Sequence, residues 1–161
     1  TRPGQFFPVA EDERGTYVFN SKDLCMVEHI PEMMGAGIDS IKIEGRMKGI
    51  NYLASTVRVY REAIDSFVRD PAGFQTNPEW IRELKKVGLR DYCTGFYLGN
   101  PAETVPNYRV DKHANQQLFV GKVIESTGDC KARVEVRNKV HKGEEMEVLS
   151  KRGPQIGRAH V

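Results

Sequence analysis

The sequence predicts a parallel α/β unit followed by a small β-barrel that is cut short. Three observations carry this reading. Strand-like and helix-like segments alternate from residue 16 to residue 87, as in βαβ architecture. The polar clusters 20–23 and 44–48 fall where the first two predicted strands end, the side on which parallel α/β proteins gather binding groups. Three short β-branched runs, separated by glycine turns, then fill residues 118–149.

Taken in order, residues 16–20 (Thr-Tyr-Val-Phe-Asn) are rich in β-branched and aromatic side chains and read as a strand. Residues 20–23 supply turn chemistry, with Asp23 placed to cap a helix. Leu24, Val27 and Ile30 fit a helical stripe, Pro31 suits a first-turn position, and Gly35 and Gly37 end the segment. The next predicted strand is 40–44, where alternation puts Ile41 and Ile43 on one face and Lys42 and Glu44 on the other. Gly45 breaks it and lets the backbone turn sharply or approach a ligand, and Arg46 and Lys48 follow as anion contacts. Over 51–69 the apolar positions Leu53, Val57, Tyr60, Ile64 and Phe67 recur at spacings of three and four, which predicts a long amphipathic helix closed by Pro71 and Gly73. A further helix is predicted over 78–87, with Asn77 as its cap and Gly88 at its end.

Residues 94–101 form an aromatic loop with two open readings, a hydrophobic clamp between domains or a stacking platform. Residues 102–116 read as a linker. Strands are then predicted over 118–124, 132–136 and 146–149, with turns at 128–129 and 142–143. The closing residues 156–161 match the translation of a widely used sequencing adaptor, and the tail 155–161 is set apart from the fold. The expected domains are 1–101, a linker at 102–116, a truncated β-barrel at 117–154 and the tail at 155–161. Thr1 is no natural initiator, so the chain reads as a fragment cut at both ends.

Composition is that of a soluble globular protein, without an apolar run near the roughly 20 residues of a membrane span and without a leader pattern; a cytoplasmic location is expected. Cys25, Cys93 and Cys130 are far apart, odd in number and free of CxxC spacing, which argues against a secreted disulfide framework. Residues 1–108 hold 13 basic and 15 acidic side chains (net −2) and residues 109–154 hold 10 and 7 (net +3), so the second module is the more basic.

No HExxH, GxSxG, Walker or GxGxxG pattern is present. Cys25 and His29, four apart, suit a packing pair on one helix better than a catalytic dyad. The densest chemistry is therefore the run 40–48. Lys42 and Glu44 there have two readings, cross-strand ion-pair partners on a solvated face or polar groups aimed into a wet barrel mouth.

The run Asn20-Ser21-Lys22-Asp23-Leu24-Cys25, with residues 36–48 (Ala-Gly-Ile-Asp-Ser-Ile-Lys-Ile-Glu-Gly-Arg-Met-Lys), closely resembles the collagenase-like peptidase family U32, and the likeness continues through the helix at 60–65 to Thr94-Gly95-Phe96-Tyr97. The resemblance implies the last strands and helices of a TIM-like catalytic barrel, followed by a translation-factor-type β-barrel. It implies one of two activities, hydroxylation of the wobble uridine of transfer RNA with prephenate, or a peptidase acting on collagen-like or denatured protein. A third reading is a non-catalytic RNA-binding module. In the first, Lys42, Glu44 and Arg46 are assigned to catalysis and Asn20, Lys22 and Lys48 to substrate binding, the cations holding carboxylates or phosphates. Related members carry a four-iron four-sulfur cluster on four cysteines, of which Cys25 matches the fourth; the fragment alone is expected neither to assemble the cluster nor to be active. Cys93 stands where the resemblance leads one to expect a hydroxyl residue.

Overall fold

The computed structural model describes residues 9–13, 15–18, 22–88, 90–99, 118–150 and 153–159. A hairpin comes first, β1 (Val9–Asp12) pairing antiparallel with β2 (Gly15–Val18). The predicted strand at 16–20 is thus present as β2, but its partner precedes it.

Next comes β3 (Asp23–Leu24), which pairs in parallel with the later β4 (Tyr92–Cys93) in the register Asp23 to Tyr92 and Leu24 to Cys93. Backbone bonds from Asp23 N–H to the Asp91 carbonyl and from Cys25 N–H to the Cys93 carbonyl, both 2.9 Å, extend the ladder at each end. This corrects two expectations. Asp23 is a strand residue, because the backbone partner at 91–93 arrives from far along the chain. Leu24 belongs to the same strand, so the helical stripe starts later, with a 3-10 turn at Val27–His29 running into α1 (Ile30–Gly35). Pro31 lies in the first turn of α1, where its missing N–H costs no helical bond.

The two longer helices are where the periodicity placed them. α2 (Ile50–Arg69) starts one residue earlier than predicted, and α3 (Pro78–Val87) matches. Asn77 Oδ1 accepts the Glu79 N–H at 2.9 Å, and Gly88 N–H closes on the Leu84 carbonyl at 2.9 Å, so cap and stop both act as read. Their apolar faces meet in the core, where Val27, Ile30, Val59, Ala63, Trp80 and Leu84 are buried. Phe74 links α2 to α3, edge-on to Phe67 at 5.5 Å and stacked on Trp80 at 6.1 Å.

Residues 40–44 form no strand, a correction to the sequence reading. A strand needs a neighbour to accept and donate its ladder bonds, and no described strand lies alongside this run. The alternation survives as side-chain placement, since Ile41 and Ile43 line an apolar groove of about 330 Å³ with Met33, Met34, Ile38 and Val57. Gly45 packs against α2, where a Cβ would meet Leu53 Cδ2 and oblige that side chain to shift.

In the C-terminal part, β5 (Gly121–Gly128) pairs with β6 (Lys131–Val136) and β7 (Glu145–Ser150) with β8 (Gly153–Arg158), both antiparallel. The turn at 128–130 has positive φ at Gly128, Asp129 and Cys130. The described residues thus give two hairpins with no ladder between them, and β8 draws four of its six residues from the tail set apart on sequence. That segment pairs because β7 offers it a free edge. The predicted linker at 102–116 lies outside the described residues.

Candidate functional site

The polar side chains at the amino end of the β3–β4 pair converge on Asp23. Its carboxylate faces Lys48 Nζ at 3.8 Å and an Arg90 guanidinium nitrogen at 3.5 Å. Three segments distant in sequence therefore meet here, because β3 and β4 are adjacent and the turn 45–48, closed by a 2.9 Å bond from Lys48 N–H to the Gly45 carbonyl, brings Lys48 over them. Lys48 also stands over the Tyr52 ring, 5.0 Å from its centroid, a cation–π contact that holds the ammonium in place. Asp23 Oδ2 is buried and accepts no hydrogen bond, so this carboxylate keeps an acceptor position in hand.

Cys25 lies two residues on, half-buried at the end of the ladder. The Tyr60 hydroxyl accepts the Met26 N–H at 2.9 Å and points its proton at Cys25 Sγ, 3.9 Å away. Burial pushes the Cys25 thiol above its ordinary value, against the lowering effect of its bonds to the Val27 backbone and to Tyr60. Burial likewise raises Tyr60 and Tyr92, with the Cys25 charge second in each case, and raises Tyr52 with Asp23 second. The tyrosines around this thiol thus stay protonated as hydrogen-bond donors at neutral pH.

Not all the predicted residues come together. Lys48 and Lys22 are half-buried in and beside the cluster, and Cys25 sits within it. Arg46 is exposed in the turn 45–48 and has no ion-pair partner among the described residues. Lys42 and Glu44 pair with each other at 2.8 Å while 85% and 75% exposed, the solvated ion pair of the blander reading. The hydrogen bond from Lys42 to Glu44 raises the Lys42 pKa, and nothing ties the pair to Asp23 or Cys25. Asn20 lies outside the described residues.

Sequence reasoning missed Asp23, Tyr52, Tyr60 and Arg90 as site residues. Tyr60 was hidden in the apolar stripe of α2, where a tyrosine scores as core, and its polar tip is the only local clue. Asp23 was legible as polar but assigned to a cap. Arg90 had no signal, since only the β3–β4 pairing brings it near.

A cluster ligand must be a thiolate donor, and Cys25 offers one at the end of a strand with a hydrogen-bonding hydroxyl behind it. No group of three histidines, cysteines or carboxylates able to hold a metal occurs among the described residues. Cys25 by itself supplies a single thiol donor. No helix among the described residues is long and apolar enough to cross a membrane.

Residues 2–107 match the model of peptidase family U32. The chain is 38% identical over 146 residues to tRNA hydroxylation protein P1 of Bacillus subtilis, covering 90% of this chain and 34% of that protein. It is 36% identical over 156 residues to tRNA hydroxylation protein P of Escherichia coli, covering 94% and 33%, and 29% identical over 149 residues to a collagenase of Porphyromonas gingivalis, covering 91% and 40%. The chain spans about a third of the length of the first two relatives. No solved structure matches it.

Proposed function

The chain belongs to peptidase family U32, and from that premise we propose that the whole protein hydroxylates the wobble uridine of transfer RNA, with prephenate as co-substrate. The observation that carries this reading is the likeness, across nearly the whole chain, to proteins named for tRNA hydroxylation. The cation arrangement supports it. Arg46 and Lys48 stand within one turn and Arg90 beside them, a set suited to phosphates or to a dicarboxylate. Arg46 is a guanidinium fork with no ion-pair partner among the described residues, and Lys48 is positioned by Asp23 and Tyr52. Lys42 and Glu44 act from the solvent side of the same loop.

Cys25 is read as one ligand of a four-iron four-sulfur cluster whose other cysteines lie in the remainder of the protein. Such a cluster supplies electron-transfer chemistry when bound. The residues of this chain hold its ligand thiol through the Tyr60 hydroxyl and fix its backbone through the Cys93 carbonyl. In this reading β3 and β4 are adjacent strands of a TIM-like barrel, and the two hairpins are part of a β-barrel appended to it.

The collagenase relative favours a second reading, a peptidase acting on collagen-like or denatured protein. Mass spectrometry of transfer RNA separates the two. A strain lacking its own wobble-uridine hydroxylases is supplied with the complete parent gene, and hydroxylated uridine is expected to appear. Unmodified uridine, with the protein folded and its iron present, would overturn the tRNA reading and favour the peptidase.

A further inference from the structure

Asp23 stands between two cations and turns one carboxylate oxygen to each. Its Oδ2 faces Lys48 Nζ at 3.8 Å and its Oδ1 faces Arg90 at 3.5 Å, with the side chains 23%, 24% and 39% exposed in that order. Both separations are longer than a hydrogen bond, and the buried Oδ2 accepts none, so the contacts are attractions between charges. The N–H groups of Lys48 are thereby left unspent, for among the described residues its ammonium meets only Asp23 and the face of Tyr52, 5.0 Å from the ring centroid. Backbone bonds hold the carriers in place. Asp23 N–H bonds the Asp91 carbonyl at 2.9 Å, which sets the segment bearing Arg90 beside β3, and Lys48 N–H closes its turn on the Gly45 carbonyl at 2.9 Å. Lys22 and Asp91, the chain neighbours of Asp23 and Arg90, are opposite in charge and form no ion pair among the described residues. Arg46 is exposed and shares no partner with the two cations. The group is therefore two positive charges and one negative, a net charge of +1.

We infer that Asp23 is the specificity-determining residue of this site, holding the Lys48 and Arg90 pair at a single net positive charge that selects a singly charged oxyanion over a doubly charged one. It rests on the reading of this cluster as the substrate site and adds to it the charge of the group taken there. A carboxylate that touched one cation would merely orient it, whereas one that gives an oxygen to each sets the charge of the pair. Attraction to the cluster grows in proportion to a ligand's charge, while the cost of taking that charge out of water grows with its square. Lowering the net charge of the cluster to one thus turns the balance against a second ligand charge, in a half-buried place where solvent screens it little. A phosphodiester of an RNA backbone and a lone carboxylate share the chemistry that remains, one negative charge spread over acceptor oxygens that face N–H donors.

The test is calorimetric titration of the whole protein with three probes, at about pH 8, where a phosphate monoester carries close to two charges. The probes are uridine monophosphate, its methyl ester, which carries one charge, and acetate. Wild-type protein is expected to bind the methyl ester more tightly than the monophosphate. Tighter binding of the ester than of acetate assigns the group to an RNA backbone, and the reverse assigns it to a co-substrate carboxylate; either fits a singly charged site. Asp23→Asn should shift the ratio of the two uridine affinities toward the monophosphate by roughly tenfold, a change that loss of structure does not produce, and Asp23→Glu should restore the wild-type ratio. Lys48→Met should move the ratio the other way, which keeps the test decisive if the asparagine variant does not fold. An unchanged ratio in these variants, or a wild-type preference for the monophosphate, overturns the inference. Wild-type protein that binds none of the probes overturns it together with the reading of the cluster as an anion site, whereas the tRNA reading itself stands or falls separately on hydroxylated uridine in the complemented strain.

Discussion

The Tyr60 hydroxyl lies 3.9 Å from Cys25 Sγ and is fixed there by accepting the Met26 N–H at 2.9 Å. One side chain of the long helix thereby joins the strand-end thiol to the backbone of the next segment. Tyr60→Phe removes both bonds and leaves the Met26 N–H, on a buried residue, without its partner. The expected loss is about 1–3 kcal/mol, read by urea unfolding. Slower alkylation of Cys25 should accompany it, because the bond from Tyr60 favours the thiolate. A variant as stable as wild type would show that water replaces the hydroxyl.

Cys25→Ser in the whole protein should lower iron and sulfide content after anaerobic purification, because serine is a poor substitute for a thiolate donor. Iron unchanged from wild type would remove Cys25 from the ligand set.

Glu83 is 6% exposed and ties two helices together, accepting from Arg58 at 2.8 Å and pairing with Lys86. Glu83→Ala leaves Arg58 with Glu62 and Lys86 with Glu147. The expected cost is therefore below the roughly 3–5 kcal/mol of breaking an isolated buried pair, at about 2 kcal/mol. Thermal or urea unfolding measures it. No loss at all would mean that the two cations repair fully with their remaining partners.

Lys86 connects α3 to β7, with its Nζ 3.0 Å from both carboxylate oxygens of Glu147. Burial by itself lowers its pKa, and the bonds to Glu83 and Glu147 more than reverse this, leaving it raised above 10.5. A folded-state value above the unfolded one means that the native chain holds the proton more tightly. The contribution is then complete below about pH 10.5 and is lost as pH rises through the folded-state value. Stability should fall with alkalinity in that window, and less steeply in Lys86→Met. An equal slope in both, by urea titration at several pH values, would assign the alkaline loss to the buried tyrosines.

Arg46→Ala should reduce activity of the whole protein at least about tenfold while leaving its melting temperature in place, because an exposed guanidinium without an ion-pair partner among the described residues contributes little to folding. Lys42→Ala, which breaks only a solvated pair, should likewise leave the fold unchanged. Unfolding of Arg46→Ala would make that residue structural.

The sequence by itself determined the elements whose signal is local. α2 was legible from five apolar positions spaced by three and four, α3 from Asn77 and Gly88, and the β5–β6 hairpin turn from Gly128, because a helical stripe, a cap or a positive φ is written within a few residues. Lys48 was singled out from the crowding of charge over 40–48, whereas Cys25 was singled out only through the family resemblance. Only the tertiary structure decided what Asp23 does, since its strand partner lies some seventy positions away and no local pattern distinguishes a capping aspartate from one held between Lys48 and Arg90. It likewise decided that residues 40–44 are not a strand, that Lys42 and Glu44 face solvent, and that Phe96 and Tyr97 stand exposed. Strand pairing and side-chain burial are relations between distant segments, and a charge or a ring takes its role from whichever neighbour the fold brings to it.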